Sequence, residues 1–216
     1  MKVHEENESY PQYALMLNLM NKKAVVVGGG QVAGRKIKQL LECGAKVLVV
    51  SPVLIGDLEE LAGEQRIEVR RKPYSTEDLQ GACLIFAATD DPEVNQLVAE
   101  DAHQAGIFVN IAHASEGSDF TNPAVLRYGH VQINVSTGGA SPTLTRHIVE
   151  RVDDIIDERL EGLALHLHEA RQRAQQDISA AKKRQQLLRD YGNACWEAWE
   201  QKRPFPIWEE WYSNNE

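Results

Sequence analysis

With 216 residues, 43% of them hydrophobic, and only three scattered cysteines, the chain can build a sizeable core without disulfides and has no C-x-x-C pair for thiolate metal ligation. A formal net charge of -9 opposes general affinity for nucleic acid or anionic membranes. No apolar run approaches the ~20 residues of a membrane helix, and the start MKVHEENESY lacks a signal-peptide core, so a soluble protein of the reducing cytoplasm is expected.

Up to about Asn110, short β-branched runs alternate with amphipathic segments, the pattern of βαβ units around a parallel sheet. Strands are expected at Ala24 to Val27, Val47 to Val50, Ile67 to Arg70, Leu84 to Ala87 and Phe108 to Ile111. Ala33, Ile37, Leu40 and Leu41 share a helical face between the first two, and Gly44 supplies the stop. Pro92 suits the first turn of another helix, with Val94, Leu97, Val98 and Ala102 on one side.

The pattern then changes. Val131 to Ser136 reads as a strand, and TGGASP as a loop whose proline opens a helix. Leu144, Ile148, Val152, Ile155 and Ile156 give that helix more apolar stripe than a small domain needs, so a homodimer interface is expected there. From about Leu160 the chain is helical and charged, ending in a cluster with Trp196, Trp199, Trp208, Trp211 and Tyr212. These rings are expected to pack as a helical cap, on the body or on a partner subunit. The fold class is α/β: an N-terminal Rossmann-type parallel sheet over 1–112, a small α+β dimerisation and substrate-side region over 113–160, and a helical C-terminal region over 161–216.

The motif that carries chemistry is Gly28-Gly29-Gly30-Gln31-Val32-Ala33, which fits G-x-G-x-x-A between a strand and a helix. Gly28 allows the tight turn, Gly30 lets the backbone approach a pyrophosphate, and Ala33 keeps the helix close to its strand. The amides and positive dipole of the helix N-terminus then face the anion. Roughly twenty residues further on, a typical NAD site places Asp or Glu on the ribose, whereas this chain reads Ser51-Pro52-Val53. Ser51 offers a hydroxyl instead, and the motif alone leaves NAD and NADP both open. At the end of the fourth strand Thr89 is a further cofactor contact, in a segment that also reads as a helix start.

Taken together, YALMLNLMNKKAVVVGGGQVAGRKIKQLLECGAKVLVVSP, LIFAATDDPEVNQLVAEDA, VNIAHAS and INVSTGGASPTLTRHI closely resemble the precorrin-2 dehydrogenase family, which includes a module of siroheme synthase. The resemblance runs from about Tyr13 to Val152. It implies oxidation of precorrin-2 to sirohydrochlorin with NAD⁺ by a homodimer. Several members also insert iron, and siroheme synthases carry a methyltransferase domain for which this chain is too short. Since precorrin-2 is a polycarboxylate and the protein is acidic, a local basic surface must meet it; Arg35, Lys36, Lys38, Arg127, Arg146, His147 and Arg151 are available.

The chain departs from the family at one informative place. Where relatives place an aspartate after the fifth strand, as proposed base and aid to metal insertion, this sequence reads Asn110-Ile111-Ala112-His113. An imidazole accepts a proton near neutral pH, so His113 keeps dehydrogenation possible, but it lacks the negative charge that metal insertion uses. Asp119 is an alternative carboxylate. Ser136-Thr137-Gly138-Gly139-Ala140-Ser141-Pro142 is similar to the family's substrate-side loop, with Thr137 keeping a hydroxyl among the catalytic groups and Ser136, Gly138, Ser141 and Arg146 facing substrate; Ser141 also reads as a helix N-cap. His166 and His168 point to different helical faces, and no dedicated metal site is expected. A nucleotide-sensing regulatory domain shares the glycine turn and dimerises, but would end the second strand with an acid and lack the STGGASP loop.

Overall fold

The computed structural model describes residues 12–112, 114 and 116–215. The chain packs as two compact units, the first ending at Asn122 and the second running Pro123–Glu216. The first unit consists of β1 (Lys23–Val27), α1 (Gln31–Glu42), β2 (Lys46–Val50), α2 (Gly56–Gly63), β3 (Glu68–Arg70), a 3-10 turn (Thr76–Leu79), β4 (Leu84–Ala87), α3 (Pro92–Ala105) and β5 (Phe108–Ile111). All five strands are parallel, in the order β3-β2-β1-β4-β5. The Rossmann-type sheet expected from the sequence is present.

The apolar runs become strands because both faces of the sheet are covered. Ala24, Val26, Val47, Val49, Leu84 and Phe86 pack with Ala33, Ile37 and Leu40 of α1 and with Leu58 and Leu61 of α2. Val25, Val27, Leu48, Val50, Ile85, Ala87, Val109 and Ile111 pack with Val98, Ala99 and Ala102 of α3. A strand buried on both sides loses its polar alternation, which is why these segments read as continuous hydrophobic runs. Two elements were not anticipated: α2 buries only Leu58 and Leu61, and the 3-10 turn is one turn long, so neither shows periodicity in sequence.

The first unit extends ten residues past the boundary expected at residue 112. The segment after β5 folds back along its open edge. Asp119 donates its amide to the Val109 carbonyl (2.8 Å) and accepts the Val109 amide on its carboxylate (2.9 Å). The Asn110 side chain donates to the Phe120 carbonyl (2.8 Å), and Ser118 Oγ accepts the Ile111 amide (2.9 Å).

The second unit begins with an antiparallel hairpin, β6 (Ala124–Tyr128) and β7 (Val131–Val135), followed by α4 (Pro142–Ile155), α5 (Arg159–Asp177), α6 (Ala181–Glu200) and α7 (Trp208–Asn215). The strand β6 was missed in sequence. Its signal is the Gly129-His130 turn, in which Gly129 (φ +56°) occupies the first central position that a II′ turn reserves for glycine. No residue of α4 is buried within this chain, and Leu144, Ile148 and Ile155 of its stripe are exposed.

The C-terminal aromatics close on their own helices. Tyr191 of α6 is fully buried, with Trp208 and Trp211 edge-on to it at 4.9 and 5.2 Å between centroids, and Trp208 stacks on Tyr212. Trp199 Nε1 donates to Asp157 (2.9 Å). The tail is a small helical core of its own, with Leu163, Ala170, Ala174, Leu187 and Cys195 beneath the rings.

Candidate active site

Strand order reverses between β1 and β4, so the loops leaving their carboxyl ends diverge and open a crevice. The register keeps those ends level, with Val27 opposite both Val50 and Ala87. The glycine turn stands in this crevice, and its three glycines do three different things. Gly28 has φ +122°, and a Cβ there would lie 2.2 Å from the Ala88 carbonyl oxygen. Gly29 is equally confined, its would-be Cβ 2.1 Å from the Val53 carbonyl oxygen and 2.8 Å from Ser51 Oγ. Around Gly30 nothing lies within 4 Å of that position. The first two glycines let backbone pack on backbone; the third faces open space that a ligand can enter.

Gly30 is also the N-cap of α1, and no side chain caps this helix. The first-turn amides of an α-helix have no intrahelical acceptor, so Gln31, Val32 and Ala33 leave donors directed out of the helix end. Ala33 is fully buried, and Gly34, also buried, donates its amide to the Gly30 carbonyl (2.9 Å) to start the helix. Uncapped amides, a positive dipole end and a side-chain-free approach fit a dinucleotide pyrophosphate.

Beside β2, Ser51 is buried and donates its hydroxyl hydrogen to the Val53 carbonyl (2.7 Å), while its amide bonds the Arg70 carbonyl (3.1 Å). It shapes the turn that walls Gly29; its oxygen retains lone pairs for a ribose hydroxyl. Pro52 and Val53 are exposed at the rim. The three cations that follow on this flank are matched to carboxylates. Arg71 forms a two-pronged pair with Glu59, and Arg70 (2.8 Å) and Lys72 (2.7 Å) hold the fully buried Asp78. Burial pushes the Asp78 carboxyl up, but hydrogen bonds from Lys72 and Arg70 outweigh it and bring its pKa down to about 2.

On the β4 side, Thr89 is held in a tight network. Its hydroxyl lies 2.8 Å from Asn95 Oδ1 and 3.0 Å from the Asp91 carbonyl, its amide donates to Asn95 Oδ1 (3.0 Å), and Asn95 Nδ2 donates back to the Thr89 carbonyl (3.0 Å). Asp91 caps α3 by accepting from the amides of Glu93 and Val94. Asn95 was missed in sequence; its signal is an amide one turn inside a Pro-initiated helix, aimed back at the strand end.

At β5, His113 lies outside the described residues. Asp119, the alternative carboxylate, pairs with the edge of β5 at Val109, and its other oxygen is 3.3 Å from His103 Nε2. It is a strand-edge carboxylate, well before the carboxyl end of β5 where Ile111 and Ala112 lie.

The second unit carries the other loop. Thr137 Oγ1 lies 2.9 Å from Thr145 Oγ1 and accepts the Ser141 amide (3.4 Å), and Ser136 Oγ accepts the Gly138 amide (3.2 Å). Ser141 Oγ caps α4 by accepting from Leu144 (3.1 Å), as its sequence position implied. Gly138 and Gly139 have φ +61° and +83° with open space around both. Arg146 is exposed, with Nε 3.7 Å from Glu150. Among the described residues no group of His, Cys, Asp and Glu is placed to hold a metal, and no helix is long and apolar enough to cross a membrane.

Comparison with known proteins bears on this geometry. Residues 15–124 match a family model of NAD(P)-binding domains, so the first unit takes a nicotinamide dinucleotide. The siroheme synthase of Methylococcus capsulatus is 39% identical over 164 residues, 76% of this chain and 35% of that protein. The chain thus spans about a third of the length of the siroheme synthases it matches. The precorrin-2 dehydrogenase of Bacillus subtilis is 36% identical over 143 residues, 66% of this chain and 88% of that protein. The solved structure of SirC, a precorrin-2 dehydrogenase, superposes with a TM-score of 0.72 at 31% identity, covering 83% of this chain and 88% of the other. With a relative 36% identical over 88% of its length and a solved structure alike over most of both chains, the chain belongs to the precorrin-2 dehydrogenase family.

Proposed function

We propose that this protein dehydrogenates precorrin-2 to sirohydrochlorin with NAD⁺, on the route to siroheme and related tetrapyrroles, as a cytoplasmic homodimer. The observation that carries the reading is the uncapped α1 behind an open Gly30 at the β1/β4 switch point, in a chain alike over 88% of a precorrin-2 dehydrogenase. When bound, NAD⁺ supplies the hydride acceptor. The chain's own contribution is to hold and orient. The amides of Gln31, Val32 and Ala33 receive the pyrophosphate, Ser51, Pro52 and Val53 border the ribose on the β2 side, and the Thr89–Asn95 network keeps the β4 terminus rigid beneath the reacting end. His113 accepts the departing proton, and Thr137, Ser136, Gly138, Ser141 and Arg146 serve the substrate.

NAD⁺ is favoured over NADP⁺ because Arg70, Arg71 and Lys72, the cations at the end of β3 and just after it, are already matched to Asp78 and Glu59. A 2′-phosphate would have to break such a pair. The dimer rests on Leu144, Ile148 and Ile155, which α4 leaves exposed. Metal insertion is disfavoured: His113 replaces the family aspartate, and Asp119 is engaged at the β5 edge.

The test is to generate precorrin-2 in situ and follow sirohydrochlorin absorbance with NAD⁺ and, separately, NADP⁺. Oxidation with NAD⁺ supports the reading. NAD binding without turnover would return the protein to the regulatory class. His113→Ala should lower kcat while leaving NAD affinity unchanged; an unaltered rate removes the imidazole from the mechanism.

A further inference from the structure

A cavity of about 430 Å³ opens beside α1 on the flank of β5, within the first unit. Arg35, Lys36 and Gln39 reach it from α1, and Asn110, Thr121 and Asn122 from the end of β5 and the segment after it. Every one of these side chains can donate a hydrogen bond, and none is a carboxylate. The spacing of Val32, Arg35, Lys36 and Gln39 places them along one stripe of the helix, so the wall is a feature of α1 and not a chance meeting of loops.

The two cations contrast with several others of the first unit. Lys38 is 2.7 Å from Asp57, Arg71 is paired with Glu59, and Arg70 and Lys72 share Asp78. Among the described residues no carboxylate lies within ion-pair distance of Arg35 or Lys36, in a protein whose net charge is -9. Lys36 is half-buried, with its ammonium 5.6 Å from the centroid of the Phe86 ring. Burial, and then the charge of Arg35, push its pKa down from the usual lysine value. A partly desolvated ammonium beside a guanidinium, with only a ring face for compensation, is an arrangement that a bound anion relieves.

The anion is not the cofactor's pyrophosphate, because that group meets the amides at the α1 N-terminus, whereas Arg35 and Lys36 lie one turn further along and face β5. The volume suits a substituent arm rather than a whole macrocycle. Resting on the function proposed above, we propose that Arg35 and Lys36 form the subsite for one acidic side arm of the tetrapyrrole. Lys36 is the fixed charge in the wall and Arg35 the forked donor at the rim, and together they orient the macrocycle at the end of β5. Both are positioning residues, since neither is assigned a proton or a hydride.

The experiment measures binding of sirohydrochlorin and of NAD⁺ to the parent protein and to Arg35→Gln, Lys36→Met and, as control, Lys182→Met on the exposed side of α6. Steady-state KM and kcat for precorrin-2 are measured in parallel. Each subsite variant should weaken sirohydrochlorin about tenfold, the equivalent of ~1.4 kcal/mol, and raise KM with kcat nearly kept. NAD⁺ affinity and the melting temperature should stay unchanged, and Lys182→Met should match the parent. Lys36→Arg should recover most of the affinity, which a merely structural lysine would not require. Weakened NAD⁺ with intact tetrapyrrole binding assigns the cations to the cofactor and overturns the proposal. Unchanged binding of both ligands also overturns it, while parent turnover still upholds the proposed function. A parent protein that neither binds sirohydrochlorin nor oxidises precorrin-2 overturns both.

Discussion

The chain contains two glycine loops that each lead into a helix, and they are built in opposite ways. At Gly28-Gly29-Gly30 two glycines are jammed against the carbonyls of Ala88 and Val53, and the helix that follows has no side-chain cap. At Gly138-Gly139 both positions face open space, and the helix that follows is closed by its own Ser141. A helix that caps itself has satisfied a donor of its first turn; one that starts on a bare glycine leaves its donors for something else. Glycine content therefore does not identify the anion site. The proposed pyrophosphate site rests instead on backbone crowding before the helix combined with an absent cap at its start.

That contrast can be broken by substitution, starting where the effect should be largest. Gly28→Ala and Gly29→Ala force a Cβ into backbone carbonyls, and at Gly28 also a strained φ, so each should cost roughly 3–5 kcal/mol in urea unfolding; a loss below ~1 kcal/mol would show that the turn relaxes freely. Gly30→Asp has the opposite character. Its backbone (φ -91°) accepts any residue and its Cβ meets nothing, so the protein should fold with unchanged or raised stability, because the new carboxylate caps α1. The same carboxylate occupies the pyrophosphate position and should weaken NAD⁺ by roughly a hundredfold or more in calorimetric titration, as like charge costs several kcal/mol. Retained affinity would refute the assignment of this turn.

The second loop should respond more gently. Ser141→Ala removes a real cap and should cost about 1 kcal/mol of stability while leaving NAD⁺ affinity untouched. Gly138→Ala meets no neighbour and carries only the strain of φ +61°, about 1 kcal/mol or slightly more. If Gly138→Ala proved as damaging as Gly29→Ala, the difference between the two loops would disappear.

The parallel sheet was legible in the chain because strands buried on both faces must be apolar throughout, and β1, β2, β4 and β5 fall where their runs predict, within a residue. The helix start after Thr89 and the capping role of Ser141 were legible because they depend only on neighbours a few residues away. The hairpin partner β6 was missed since half-buried AVLRY carries little alternation of its own. The pairing of Asp119 with the edge of β5 was not legible, because it depends on a backbone amide, that of Val109, ten residues earlier in the chain.

What the sequence determined by itself is whatever local chemistry enforces: the strand–glycine–helix unit, the starts of α3 and α4, and the apolar stripe of α4. Tertiary structure alone decided which glycine is crowded and which is open, that Asn95 locks Thr89, and that Arg35 and Lys36 face a cavity without a carboxylate while their neighbour Lys38 has one. The physical reason is range. Turns and caps are settled over a few bonds of backbone, whereas steric clearance and charge matching depend on groups brought together from distant parts of the chain.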